Sequence, residues 1–476
     1  MFKLRLQEFS LFLTLTCLSS FSSSNAFSAT TSVNESANFS SYLRPFHEHS
    51  LWNSHPINPV LDSYEIPKST YSPIIHEGAY STGFFLAKST DPSVTVKGPE
   101  GSGGIWDPDA GVQRSSITID HWPSDLIPAS GSDGHADIFD PINNRVHSFF
   151  RLKNIGGNWV ATHYAWTKLD GSGWPDPAHF YQGVRAVSVP PSAGLVRKHE
   201  VNDGLKIIYH ALALSLTFNA LSSEPAYIFP ATSADGTARE NTGKIPEGAL
   251  LMLPAGFDAD GIENPILRKI ANTLKVYGAY VVDRNQGTPF AIYVENGAGV
   301  NLHKYGWNNT VAADLDKIRK NLRQVIRTDG FVDGKGQIFK PNINLNLLSM
   351  RGPWHVKSGN GSGEFDTWQQ ALTFGSQSST TVLENNSSTS IHPVKWATPL
   401  KGQKFKLTSI TSGGAKLRFM ILDKNLKKVT YDSGELVNSK FDIFTWPADS
   451  FIPIIWAISG PDPQSSVSGE LVRLEN

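Results

Sequence analysis

The chain predicts a mainly β protein with a few helices, built as a large β-rich N-terminal domain over 44–330 and a C-terminal β-sandwich over 345–476. Three observations predict it. Charged residues make up only 18%, whereas the chain holds 40 Gly and 29 Pro and is 11% aromatic, a profile of short strands and many turns. From 44 to about 260, apolar residues fall in short runs broken by Gly, Pro, Asn and Asp. Beyond Asp329, brief strand patterns recur at turn spacing to the end of the chain, the rhythm of a sandwich.

The first 29 residues read as a secretory signal peptide. Lys3 and Arg5 precede the apolar run 9–18, and small residues follow around Ala26 and Ala29. That run is too short to span a bilayer, and no later stretch holds 18 successive apolar residues, so no membrane span is expected. Residues 30–43, rich in Ser, Thr and Asn, read as a flexible linker. Cys17 is the only cysteine and lies in the predicted signal, so the mature chain has no disulfide, no thiolate nucleophile and no Cys-ligated zinc. A formal net charge of -1 without a basic block argues against nucleic acid as a partner. Sequons stand at Asn34, Asn38, Asn308 and Asn386, and matter only in a glycosylating host.

Strands are expected at 115–119, 136–139, 146–152, 159–166 and 226–229. The apolar run LKIIYHALALSL, 205–216, reads as a buried strand with His210 inside it. Two helices follow from 3.6-residue periodicity. One spans 264–277, with Asn264 as N-cap and Pro265 in the first turn; the other spans 311–327. Between them, 279–282 and 289–294 read as a hairpin around 284–287. In the C-terminal part, strands are expected at 405–407, 416–422, 428–431 and 454–458.

No nucleophile elbow, phosphate loop, HExxH, dinucleotide fingerprint or EF-hand loop is present. The chemistry-bearing residues gather instead between 114 and 240. The stretch Asn158 to Gly183 alone holds two His, two Tyr and three Trp in 26 residues. Strand alternation places His135 with Asp137 on one face, and His163 with Ala161 and Ala165 opposite Tyr164 and Trp166. Small face-mates leave space beside His163, which makes it the better site candidate of the pair.

The candidate catalytic set is therefore His135, Asp137, His163, Tyr164, His179, Arg185 and His210, with Trp166, Trp174, Tyr181 and Arg151 as substrate-binding residues. An imidazole beside a carboxylate makes a general base, and Tyr completes a proton transfer. A guanidinium (Arg114, Arg151 or Arg185) neutralises a carboxylate. These parts suit β-elimination on a uronic-acid polysaccharide, which ranks slightly ahead of glycoside hydrolysis. Hydrolysis needs two opposed carboxylates, and no spacing singles out a pair among Asp120, Asp137, Asp140, Asp170, Asp176 and Glu224. No cofactor is expected, although the His and Asp residues leave room for a divalent metal such as calcium. Each His also has a plain reading as a hydrogen-bonded structural residue, and the Trp residues as core. The competing function is a non-catalytic glycan-binding or cell-surface protein. Aromatic loops at 353–355, 365–368 and 444–447 are equally compatible with a glycan surface and with the sandwich core.

One ordered set of motifs goes further. His210-Ala211-Leu212, then Tyr227 to Ala231, then the apolar stretch 245–258 ending in Phe257-Asp258, then Leu274 to Asp283, resembles a widespread group of secreted bacterial proteins reading HAL, YxxPA, FD and LKxYGxxxxD. Pro45-Phe46 and Ser50 to Ile57 are similar to that group's opening PF…S.WN.PI segment. Ala279 stands where Met is usual, and Arg284-Asn285 where Asn-Gly is usual. The resemblance covers about 44–300. It implies one long N-terminal domain and an extracellular life, and it carries over no catalytic residue.

Overall fold

Buried strands from six sheets organise the computed structural model of the chain, which describes residues 38–386, 391 and 394–475. The predicted signal peptide and most of the linker lie outside these residues. The protein is mainly β, with two α-helices among the described residues. No described helix is long and apolar enough to cross a membrane.

At the centre is a seven-stranded sheet in the order 60–61, 323–327, 250–252, 279–285, 212–217, 290–293 and 74–76. Its strands 250–252, 212–217 and 290–293 are buried on every residue because both faces are covered. Leu212, Leu214, Leu216, Val281 and Ile292 point to a core shared with the helices α1 (Pro265–Val276) and α2 (Asn309–Asn321). Ala213, Tyr280, Val282 and Tyr293 point to the opposite core, with Trp52 and Trp174. Helix α1 is as read: the Asn264 side chain accepts from the Leu267 N–H at 3.1 Å, Pro265 occupies the first turn, and Leu267, Ile270, Ala271 and Leu274 are buried.

Several sequence expectations need correction. Helix α2 stops at Asn321, and Arg323–Arg327 is a strand pairing with Leu251–Met252 and with Val60–Leu61. The apolar spacing that carries the helix to Ile326 is satisfied equally by a strand, and the open backbone bonds of 250–252 decide it. The run 205–216 is a strand only over Leu212–Thr217, so His210 precedes the strand. Residues 226–229 make a single bridge, Tyr227 to Glu247. Strands 279–285 and 290–293 are not hairpin partners, because 212–217 lies between them, parallel to the first and antiparallel to the second. The connecting turn straddles that inserted strand, and its Gly287 N–H donates to Thr217 Oγ1 at 3.0 Å.

Two further sheets sit on the N-terminal side of the sequence. One has six strands, in the order 83–86, 136–140, 145–150, 163–168, 105–107 and 112–114. The other has four: 153–155, 158–160, 94–97 and 116–119. They share a core that includes Ile105, Ile117, Phe149, Tyr164 and Trp166. The predicted strand 159–166 is thus two strands, Asn158–Val160 in the small sheet and His163–Lys168 in the larger. The break is fixed by Ala161 donating to Lys97 O at 2.9 Å and Thr162 to Phe150 O at 3.0 Å.

Residues 355–473 form two five-stranded antiparallel sheets that pair only with strands from that stretch. Their alternating residues meet in one core around Leu407, Phe419, Trp446, Ile455 and Leu471. The aromatic loops at issue face inward or toward the N-terminal sheets. Trp446 is fully buried, Phe365 and Phe444 are buried, and Trp354 bonds Met350 O at 2.7 Å. Arg114 Nη2 donates to Phe365 O at 2.6 Å, and Trp166 Nε1 donates to Thr367 O at 3.0 Å. These side chains join the sandwich to the six-stranded sheet.

Candidate functional site

Most of the sequence-selected residues are dispersed, each held by its own partners. Tyr164 is fully buried; its hydroxyl lies 2.7 Å from His147 Nδ1, and burial pushes its ionisation far above the ordinary phenol range. Such a group cannot deliver a proton to a ligand. His179 Nε2 lies 3.0 Å from Asp109 Oδ2, and the imidazole packs on Trp166 at 4.6 Å. The Tyr181 N–H donates to the same carboxylate, and its ring faces the buried Arg351 guanidinium. Trp174 stacks on Trp52 at 4.7 Å with planes 3° apart, inside the core. His210 bridges Ala211 O at 2.8 Å and Glu200 at 3.2 Å on another part of the molecule. Four of the expected site residues, Tyr164, His179, Trp166 and Trp174, are therefore packing or anchoring residues.

Arg185, His135 and Asp137 belong together, but under cover. Arg185 donates to Asp283 Oδ2 and to Tyr80 O, both at 3.1 Å, and lies 3.9 Å from the Tyr293 ring centre. Burial pushes Asp283 up to about 6 despite the pull of Arg185. Asp137, fully buried, accepts from the Ser192 N–H at 2.7 Å and is likewise pushed to about 6 by burial. Burial, then the charge of Arg185, keeps the His135 imidazole neutral.

The adjacent Glu247 is fully buried and receives the Asp235 N–H at 3.1 Å. Burial first, then the nearby Asp283 carboxylate, raises Glu247 well above its ordinary value of 4.5. A carboxyl raised on folding stabilises fully below its unfolded pKa, and that stability is lost as pH rises through the folded value. Wild-type stability should therefore fall relative to Glu247→Gln as pH rises above the ordinary value of 4.5, by at most about 1.4 kcal/mol per pH unit. Urea midpoints for the two proteins over that rise measure the difference, and parallel curves would contradict the assignment.

Two selected residues do reach solvent side by side. His163 and Arg151 line a cleft of about 400 Å³ with Pro99, Ser102, Gly104, Trp106, Gln113 and Thr162. Pairing builds it: His163 sits opposite Trp106 in a parallel register and opposite Phe150 in an antiparallel one. Arg151, in the left-handed region at φ 55, turns off the end of the strand 145–150 with its guanidinium 5.1 Å from the Phe150 ring. The rim passes through Gly104 at φ 140, where a Cβ would collide with Arg114 O, so no other residue closes the loop this way.

The hydrogen bonds in the cleft accommodate the imidazole as a base. Thr162 Oγ1 donates its only hydrogen to Phe150 O at 3.2 Å. With that hydrogen so placed it accepts from His163 Nδ1–H at 2.9 Å, the tautomer in which the Nε2 lone pair is uncommitted. Burial, reinforced by the Arg151 charge, lowers the His163 pKa, so the ring is a neutral base at pH 7. The arrangement is an uncharged proton acceptor beside a guanidinium, an indole, an amide and two hydroxyls. Across Phe150 from His163 lies His135, with ring centres 5.4 and 5.5 Å from that phenyl, but His135 is buried. Trp106, Gln113 and Ser102 escaped the sequence reading. The triplet Ile105-Trp106-Asp107 is too short to show a period, and its parallel pairing with His163 is non-local. Arg114, the other cation considered, is held by Asp107 at 2.9 Å. Among the described residues, no group of three or more His, Cys, Asp or Glu converges as a metal site.

No known sequence family matches the chain, and no curated protein does. Among solved structures, part of the chain is similar to the accessory secretory protein 1, 2 and 3 structure from Streptococcus pneumoniae, at 10% identity and TM-score 0.20, over 29% of this chain and 100% of that one. A glycosylation associate protein complex from Streptococcus agalactiae is similar at 12% identity and TM-score 0.19, over 26% of this chain and 46% of that one. A family 29 carbohydrate binding module is similar at 12% identity and TM-score 0.17, over 28% and 84%. Likenesses this slight carry no argument about fold or function.

Proposed function

We propose that the protein is secreted and acts on an extracellular polysaccharide, with the Trp106–Arg151–His163 cleft taking a uronic-acid residue for β-elimination. The observation that carries this reading is the meeting of Arg151 and His163 on one solvent-open cleft beside an indole. The pyranose face lies on Trp106, and Arg151 neutralises the uronate carboxylate, which acidifies the proton on C5. His163 Nε2 takes that proton, the electron pair forms the C4–C5 double bond, and the C4–O4 bond breaks. With one titratable group in reach, the same imidazolium returns the proton to the departing O4, which requires both to leave from one face of the ring. Glycoside hydrolysis fits less well, because no carboxylate lines the cleft.

One observation favours a second reading, non-catalytic glycan binding: the cleft lining includes no phenol or carboxylate to share the proton transfer. Incubation of purified protein with polygalacturonate, alginate, hyaluronate and a neutral β-glucan separates the two. Elimination produces a rising ultraviolet absorbance from unsaturated uronates, on the acidic polymers only. New reducing ends without that absorbance indicate hydrolysis. Retention of the polymer with neither signal indicates binding alone.

A further inference from the structure

The loop 296–308 carries the most exposed aromatic side chains among the described residues, and the cleft uses none of them. Tyr305 is 94% and Trp307 65% exposed. The loop is nonetheless built rather than loose. At its root, Glu77 receives the Gly297 N–H at 3.1 Å and the Val300 N–H at 2.7 Å. Asn301 Oδ1 accepts from the His303 N–H at 3.0 Å, and His303 Nδ1 accepts from the Asn308 N–H at 3.0 Å. The imidazole so fixed lies flat beneath Trp307, 4.6 Å away with planes 6° apart. The indole N–H is tied to Asn309 Oδ1 at 2.9 Å. One face of Trp307 is therefore covered, the other is open, and the plane is set before any ligand arrives.

We propose that this loop is a second glycan-binding surface, separate from the cleft, which takes a pyranose ring of a carboxylate-bearing polysaccharide on the open face of Trp307. An indole held flat by internal bonds loses little freedom on stacking, and the axial C–H groups of a pyranose match its electron-rich face. Lys304, whose ammonium lies 5.4 Å from the Tyr305 ring centre, supplies the charge that selects an acidic chain. The surroundings disfavour a membrane, because the residues flanking the two rings in the chain are Lys304, Gly306 and Asn308.

Affinity electrophoresis of the full chain through gels containing polygalacturonate, alginate or a neutral β-glucan tests the surface. The comparison is made in the Arg151→Ala background as well as in the wild type, so that retention by the cleft does not mask the loop. In that background, Trp307→Ala should weaken retention in the acidic gels about tenfold, roughly the 1.4 kcal/mol of a well-placed aromatic contact, while Trp307→Phe keeps most of it. Lys304→Gln should weaken retention in the acidic gels alone. Thermal melting of the variants checks that the loop change leaves the fold intact. Equal mobility of Arg151→Ala and Arg151→Ala/Trp307→Ala in every gel overturns the loop surface. So does retention on phosphatidylcholine/phosphatidylserine vesicles with none in the gels, which assigns the aromatics to lipid. Retention lost in Arg151→Ala and untouched by Trp307→Ala leaves the cleft standing and removes the loop.

Discussion

Replacing Arg185 by Ala should cost about 3–5 kcal/mol of folding stability, the range for removing one partner of a buried ion pair. Three interactions end together: the bond to Asp283, the bond to Tyr80 O and the contact with the Tyr293 ring. What remains is a carboxyl, only 18% exposed, that has lost its ion-pair partner and has Glu247 nearby. Burial already lifts Asp283 to about 6 against the pull of Arg185, and without that pull it rises further. The variant therefore recovers part of the loss by taking up a proton, so the deficit is larger at about pH 8 than at about pH 5. Arg185→Lys restores the charge without the planar fork that serves Asp283 and Tyr80 O together, so it should recover only part of the stability. Urea denaturation at both pH values is the measurement, and an unchanged midpoint in Arg185→Ala contradicts the description of this cluster.

Replacing His163 by Ala should lower the proposed elimination rate about 10²–10⁴-fold, the usual contribution of a positioned proton-transfer group. Arg151→Ala should act differently. Its guanidinium holds the uronate in the ground state and as the charge develops, so KM rises and kcat falls together. The pH profile distinguishes a base from a packing residue. Neutral His163 is required, so activity is lost as pH falls through its lowered pKa and is flat above it. Arg151→Ala removes a nearby positive charge, so the acid limb should move to higher pH. An unshifted limb, or full activity in His163→Ala, removes His163 from the chemistry.

Period and punctuation carry much of the fold in the sequence. Helix α1 is legible because its cap, its Pro and its apolar stripe are local to the residues that form it. Sandwich strands such as Lys404–Ser412 and Phe451–Ile458 are legible because their residues alternate between a covered and a more open face. Pairing is not local, and there the reading breaks down. Leu322 to Ile326 satisfies a helical stripe and a strand alike, and only the distant strand 250–252 settles the choice. The strand 159–166 divides because Ala161 and Thr162 are claimed by two different neighbours, Lys97 and Phe150.

The same physics governs the candidate site. The density of rings and imidazoles between Asn158 and Gly183 is real, but most of it is spent on interior anchoring. Trp174 stacks on Trp52, and Trp166 bonds across to Thr367. The small face-mates that single out His163 in the sequence do not hold up in full: the strand breaks at Ala161–Thr162, and Ala161 packs in the core with Tyr164 and Trp166. The cleft partners of His163, Trp106 and Gln113, become visible only once Ile105–Asp107 is laid alongside His163–Lys168.

The strand Leu212–Thr217, inserted between two strands that follow it in the chain, also sets an order of assembly. Its neighbours on either side lie downstream, and the sheet's outer members come from as early as Val60 and as late as Arg327. No contiguous fragment ending before residue 290 holds both backbone partners of this central strand. The sheet must close long loops before any of its pairings are rewarded, which makes high contact order and slow, late acquisition of structure a property of the topology itself. Until the last of these segments arrives, a strand buried on every residue in the finished sheet has an unpaired edge. That interval is when a chaperone is needed and when aggregation competes with folding.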